Sequence, residues 1–227
     1  MNHQPQEKQD EEATELPDIR LDGLIAEPFY YQMQNLVLWQ ALNFWYQRTS
    51  LDGYLKENAW IFPQQATVMV AMVELPALAP THALVKEVCG FDHSYLDHIQ
   101  QEWYTHLYPY QINAYQHRIL SLSQAACVFD YRNKVSSIAP QTVHLQANTN
   151  GLCHALAIWV NYDLSPGYSI QHYNEDTREF LSYQKVMLRF LKQPVECIPD
   201  HSNCGISCTV EFDSDSSLFH VNVSSGL

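Results

Sequence analysis

Glycine is scarce in this chain. The 227 residues hold seven, at Gly23, Gly53, Gly90, Gly151, Gly167, Gly205 and Gly226, all widely separated. A loop that closes on a phosphate or dinucleotide needs several glycines within a few residues, so no such fingerprint is present. Positive charge is also scarce. Lys and Arg number 12 against 25 Asp and Glu, a net charge of −13. A field of that sign opposes nucleic acid and anionic membrane and favours basic partners, besides keeping the protein soluble. Long apolar runs are missing, so no membrane-spanning helix is expected. The opening MNHQPQEKQDEEATELP has neither the basic start nor the apolar centre of a secretory signal. Its composition predicts a disordered acidic tail over residues 1–17. Without a secretory route, the six cysteines point to a reducing compartment, cytoplasmic or nuclear, and to buried free thiols.

What is present is organised around residues 24–67. Leu24, Ile25 and Ala26 form an apolar run ending on a lone acid, Glu27, followed by Pro28. From Gln34 to Arg48, Leu38, Leu42 and Trp45 recur at helical spacing with Trp39 and Tyr46 beside them, as on a helix packed against a core. Leu51-Asp52-Gly53 carries the glycine stop signal. The reading is strand, charged strand end, helix, turn, strand. Trp60 to Glu74 is a β-type run. Residues 92–118, rich in Tyr, His and Gln and broken at Pro109, predict a helical arm. Six further runs predict strands at short intervals: 126–131, 141–147, 154–164, 185–191, 205–212 and 218–223. Their turn punctuation suggests an antiparallel sandwich or barrel. The fold class is mainly β with an α/β remnant: residues 18–57 resemble the end of an α/β domain, and residues 58–227 a complete β domain with an inserted helical arm near 92–118. A lone strand and helix cannot complete a parallel sheet, which needs cover on both faces.

Several residues are candidates for chemistry. Glu27 sits where open α/β sheets present functional groups, at the carboxyl end of a strand. It reads either as a two-pronged anchor for a guanidinium or as a carboxylate at a helix N-terminus. Cys197, His201, Cys204 and Cys208 form the weak metal candidates, because only Cys204 and Cys208 have zinc-like spacing; no metal is assigned. Cys153 and His154, adjacent on a strand, point to opposite faces. His93, His98, His106 and His117 read as an arm surface, and Asp130 as a strand-end polar residue.

The segments LIAEPF, LVLWQALNFWYQRT, IFPQQATVMVAMVE, CGFDHSYL, FDYRN and GLCHALAIWVNYDLSPG, in that order, resemble the protein arginine N-methyltransferase family. The likeness is strongest to the carboxy-terminal, degenerate module of its tandem-module, monomethylating branch, and CTVEFDSDSSLFHVNV resembles that module's final hairpin. The resemblance covers roughly residues 18–227. It implies AdoMet-dependent methyl transfer to protein arginine, a Rossmann-like domain followed by a β-barrel, and an arm that docks on a neighbouring module. It makes Glu27 the match to the first glutamate of the family's double-glutamate loop. The second glutamate has no match, because Gln32 to Trp39 hold no acid. The family's Thr-His-Trp loop falls near Leu181-Ser182-Tyr183-Gln184, where the His is missing. The glycine-rich AdoMet loop and the ribose-binding acid have no match. Methyl transfer to a guanidinium needs a positioned donor and carboxylates that localise charge. The expectation is therefore a module without its own cofactor site, acting as a pseudo-dimer half. Its expected partners are a methyltransferase module in cis or trans, or a second copy, and Arg-rich protein substrates, with no nucleic acid and no membrane. The alternative is a stand-alone β-barrel interaction module with no part in methylation.

Overall fold

The structure, a computed structural model, describes residues 20–28, 37–101, 106–182, 184–199 and 205–225. In chain order the elements are β1 (Leu21–Ile25), α1 (Val37–Ser50), β2 (Leu55–Phe62), β3 (Gln65–Glu74), β4 (Glu87–Val88), β5 (Phe91–Asp92), α2 (Ser94–Gln101), β6 (Tyr108–Tyr110) and β7 (Arg118–Ile119). There follow β8 (Gln124–Asp130), β9 (Ile138–Gln146), β10 (Gly151–Ser165), β11 (Tyr168–Ile170), β12 (Tyr173–Asn174), β13 (Glu179–Phe180), β14 (Val186–Cys197), β15 (Gly205–Asp213) and β16 (Leu218–Ser225). Short 3₁₀ turns lie at Asp52–Tyr54, Ala79–His82 and Ile112–Ala114.

The main sheet runs β6-β14-β10-β3, with β7 and β8 on the far edge of β3 and β11 on the end of β10. Its central strands are antiparallel, yet their sequences are nearly continuous apolar runs. The two-residue period explains why. On β3, Val68, Val70 and Met72 enter one core, while Ala71 and Val73 enter another. On β10, Leu156, Ile158 and Val160 face the first core and Ala155, Ala157 and Trp159 the second. Successive side chains point to opposite faces, so a strand covered on both sides must be apolar throughout. The first core is closed by α1 and by a second sheet, β16-β15-β9. The second is closed by Leu75, Leu78, Ile112, Tyr173 and Phe180 from the intervening segments.

The mainly β class is as read from the sequence. The ladders of the described residues leave the two sheets open, however, joined by one bridge, Ser121 to Ala147. Pro140 on β9 accounts for part of this. It falls where the β9–β15 register shifts, and it has no N–H to extend the ladder outward.

Helix α1 belongs to the first core. Leu38, Ala41, Leu42, Phe44 and Trp45 are buried, and Trp45 stacks on Phe129 with ring centroids 5.5 Å apart. Polar bonds fix its position: Trp45 Nε1–H donates to the Asn133 carbonyl at 2.8 Å, and the Tyr131 hydroxyl to the Ala41 carbonyl at 3.0 Å. Trp39, read as part of the packed stripe, instead points outward at 55% exposure. Within the expected arm, α2 is helical but Tyr108–Tyr110 adds a strand to the sheet edge beside β14. Pro109 is tolerated there because an edge strand leaves one side of its backbone unpaired.

Candidate functional site

β1 and β2 form a parallel pair, with Leu24 opposite Ile61 and Ile25 opposite Phe62. The ladder continues one residue further, where the Ala26 N–H donates to the Phe62 carbonyl at 2.9 Å. The next residue is Glu27, so the acid stands at the carboxyl end of a parallel strand, as its sequence position indicates. Gly23 eases the pairing. A Cβ there would lie 3.0 Å from the Trp60 carbonyl oxygen and 3.2 Å from its Cβ, so a side chain would push the two strands apart by a few tenths of an ångström.

Glu27 and Pro28 border an open hollow of about 360 Å³ whose other wall is α1. Gln40, Asn43 and Gln47 recur at three- and four-residue spacing and so share one helix face, with Phe44 beside them. Phe44 is held edge-on to Tyr131, ring centroids 4.7 Å apart. The hollow thus presents one exposed carboxylate and three amides. A carboxylate accepts two N–H bonds from a guanidinium, and amide carbonyls accept more. Among the described residues no second acid lines it. Of the segment where the family's second glutamate is expected, residues 32–36 lie outside the described residues.

The segment expected to carry the Thr-His-Trp loop is anchored from below. The Leu181 N–H donates to the His172 carbonyl at 2.8 Å, and the Ser182 carbonyl accepts from Gln111. Gln184 is buried, and Tyr183 lies outside the described residues. Beneath this segment is a residue the sequence reading did not single out. His172 is wholly buried, edge-on to Phe180 at 5.7 Å, and neither ring nitrogen has a hydrogen-bond partner among the described residues. Burial pushes its pKa down to about 3. A lone histidine in a polar stretch, Gln171-His172-Tyr173-Asn174, carries no periodic signal that could have marked it.

Of the metal candidates, His201 and Cys204 lie outside the described residues. Cys197 is buried at the end of β14 beside Cys153. Cys208 is buried in β15 beside Cys127, and desolvation pushes both of these thiols up to about 12. Among the described residues no three His, Cys, Asp or Glu converge as metal ligands. Cys153 and His154 face opposite ways as expected: the thiol is buried in the first core, while the ring of His154 accepts from the Leu75 N–H at 3.0 Å. Asp130 holds Arg132 and Asn133 in the turn after β8, a structural role.

Comparison with known proteins gives a consistent direction. No family model matches the chain. "Protein arginine N-methyltransferase 7" of Oryza sativa subsp. indica is 29% identical over 201 residues, covering 84% of this chain and 27% of that protein. "Protein arginine N-methyltransferase 1.6" of Arabidopsis thaliana is 26% identical over 210 residues, covering 88% and 28%. "Protein arginine N-methyltransferase 7" of Mus musculus is 28% identical over 168 residues, covering 70% and 23%. The chain therefore spans about a quarter of the length of these relatives. Among solved structures, a chain of the "Trypanosoma brucei PRMT1 enzyme-prozyme heterotetrameric complex with AdoHcy" superposes with a TM-score of 0.61 at 12% identity, covering 91% of this chain and 68% of that one. That likeness is one of fold. Taken with the sequence matches, it relates this chain to the protein arginine N-methyltransferase family.

Proposed function

We propose that the chain is a carboxy-terminal module of a two-module arginine methyltransferase and serves as the non-catalytic half of a pseudo-dimer. The observation that carries this reading is the outward face of the arm. Phe91, Tyr95, Leu96 and Ile99 are 72%, 77%, 48% and 44% exposed and follow one another along β5 and α2. A contiguous exposed apolar group of this kind marks an interaction surface. Its occupant on this reading is a methyltransferase module that supplies the donor site. The two open sheets correspond to the family's β-barrel, and residues 18–57 to the end of a Rossmann-like domain.

On this reading AdoMet is held by the partner module, since no glycine-rich turn is present to cradle it here: the glycines are widely separated and Gly23 packs against the Trp60 backbone. Glu27 then helps shape an arginine-binding groove without performing the transfer. The outer faces of β1 and β2 support the same arrangement. Ile25 and Trp60 are 74% and 80% exposed on a parallel ladder, a structure that is ordinarily covered on both faces.

Size-exclusion chromatography with an arginine methyltransferase module of the relatives above tests the reading. The expected result is a one-to-one complex lost in Tyr95→Asp/Ile99→Asp, together with no heat of AdoMet binding to this chain alone. Low-micromolar AdoMet binding by the isolated chain, or no complex with any such module, overturns it.

A further inference from the structure

The β10–β14 ladder contains a wide irregularity that the methyltransferase reading does not use. Cys153 pairs with Val195 and Ala155 with Phe190, so Leu191 to Pro194 bulge out opposite His154 alone. Bulges of this kind re-aim side chains and occur beside functional sites. The chain leaving β3 folds over the gap: the ring of His82, in the 3₁₀ turn Ala79–His82, stacks on Phe190 with centroids 3.8 Å apart and planes 11° from parallel. Between bulge and turn lies a cavity of about 350 Å³, at the small end of the range for ligand sites.

The lining is divided by chemistry. Leu84, Phe190, Leu191 and Pro194 supply an apolar floor, and Lys86 and Lys192 supply two ammonium groups. No carboxylate among the described residues lines the cavity. Among the described residues neither ammonium enters an ion pair. This is unusual in a chain of net charge −13. Two acids near the site are already engaged. Asp97, 6% exposed, accepts the Val85 and Lys86 N–H groups at 2.6 and 2.8 Å. Glu74, which acts on His154 through space, accepts the Leu152 N–H at 2.8 Å and pairs with Arg118 at 2.7 Å.

The Asp97 bonds also hold Lys86 at φ +56°, a left-handed conformation that a lysine adopts only at a cost of about 1 kcal/mol. Two hydrogen bonds donated to a buried carboxylate thus fix where the Lys86 side chain leaves the backbone. The two histidines are oriented as well. His82 Nδ1 and Nε2 meet the hydroxyls of Thr81 and Tyr110, each at 3.0 Å. His154 Nδ1 accepts from the Leu75 N–H, which places the proton of its neutral ring on Nε2 as a donor.

We propose that this cavity is a binding site for a small organic anion carried on a flat ring, with Lys86 and Lys192 on the anionic group and the Phe190 side of the cavity against the ring. Charge-assisted bonds to two ammonium groups supply the recognition of the head. The apolar floor selects for the ring by removing it from water.

Isothermal calorimetry of the full chain with phenyl phosphate tests the site, with inorganic phosphate and phenol as separate titrants. Phenyl phosphate is expected to saturate one site and to bind about tenfold or more tighter than either fragment. The Lys86→Gln/Lys192→Gln variant is expected to lose at least tenfold in affinity at an unchanged melting temperature. Lys56→Gln, which removes an exposed lysine paired with Asp22, is expected to bind as the parent does. Absence of saturable binding, equal affinity for inorganic phosphate, or full affinity in the double variant each overturn the proposal.

Discussion

His172 is wholly removed from water. A buried imidazole whose two nitrogens find no partner among the described residues resists protonation in the folded chain. In the unfolded chain it titrates at its ordinary 6.5, and in the folded chain only near 3. Between those values the unfolded state binds more protons, so stability falls as pH falls. The full contribution is present above pH 6.5, and the loss is about 1.4 kcal/mol for each pH unit below it. Denaturant melts at pH 7, 6, 5 and 4 should show this slope. His172→Leu should make it shallower, because the most strongly shifted histidine is then gone, while His82 and His154, whose pKa values burial also lowers, keep part of the slope. A parallel slope in the variant would assign the acid sensitivity to other groups. Glu27 shows the limit of reading single residues. Its place at the end of β1 is legible from LIAEPF, but the amide wall opposite depends on which face α1 turns toward it, and the string alone leaves the reading as a helix N-terminal carboxylate open.

Among the elements, strands were the most legible and the arm the least. The runs around β8, β9, β10, β15 and β16 announce themselves because each alternates or is covered on both faces, so composition and spacing agree. Residues 108–110 did not, because Tyr108-Pro109-Tyr110 is short, holds a proline and pairs only at an edge. Trp39 was misplaced for a related reason: a wide aromatic stripe does not reveal its boundary, and the core takes Ala41 and Phe44 instead.

The arm hairpin rests on a feature that leaves no mark in sequence, the clamp of Asp97 on the Val85 and Lys86 N–H groups. Asp97→Ala should cost the arm about 2 kcal/mol, since hydrogen bonds to a charged group are worth more than neutral ones. The effect should stay local. Proteolysis within 85–99 should accelerate and association with a methyltransferase module should weaken, while the melting of the sheets stays within about 0.5 kcal/mol of the parent. An equal loss across the whole molecule would show that arm and sheets unfold together.

For the molecule as a whole, β2 spans residue 57 and α1 lies in the same core as β3, β8 and β15. A sequence shows where an α/β pattern stops, but not which core receives its last helix; that depends on contacts such as Trp45 with Phe129 and Phe212. The acidic surface has its own consequence. If Arg-rich substrates are steered by a net charge of −13, the association rate with an Arg-rich peptide should fall steeply between 50 and 300 mM salt (about tenfold, as screening shortens the range of the field), with a much smaller change in dissociation. A salt-independent association rate would remove steering from the account.

β10 lies between β3 and β14, with side chains buried above and below it. Its peptide groups have no solvent on either edge through the middle of the strand, so they meet deuterium only when the chain opens globally. In heavy water, Leu156 to Val160 should be the last amides to retain protium, and their common rate would report the free energy of the entire fold.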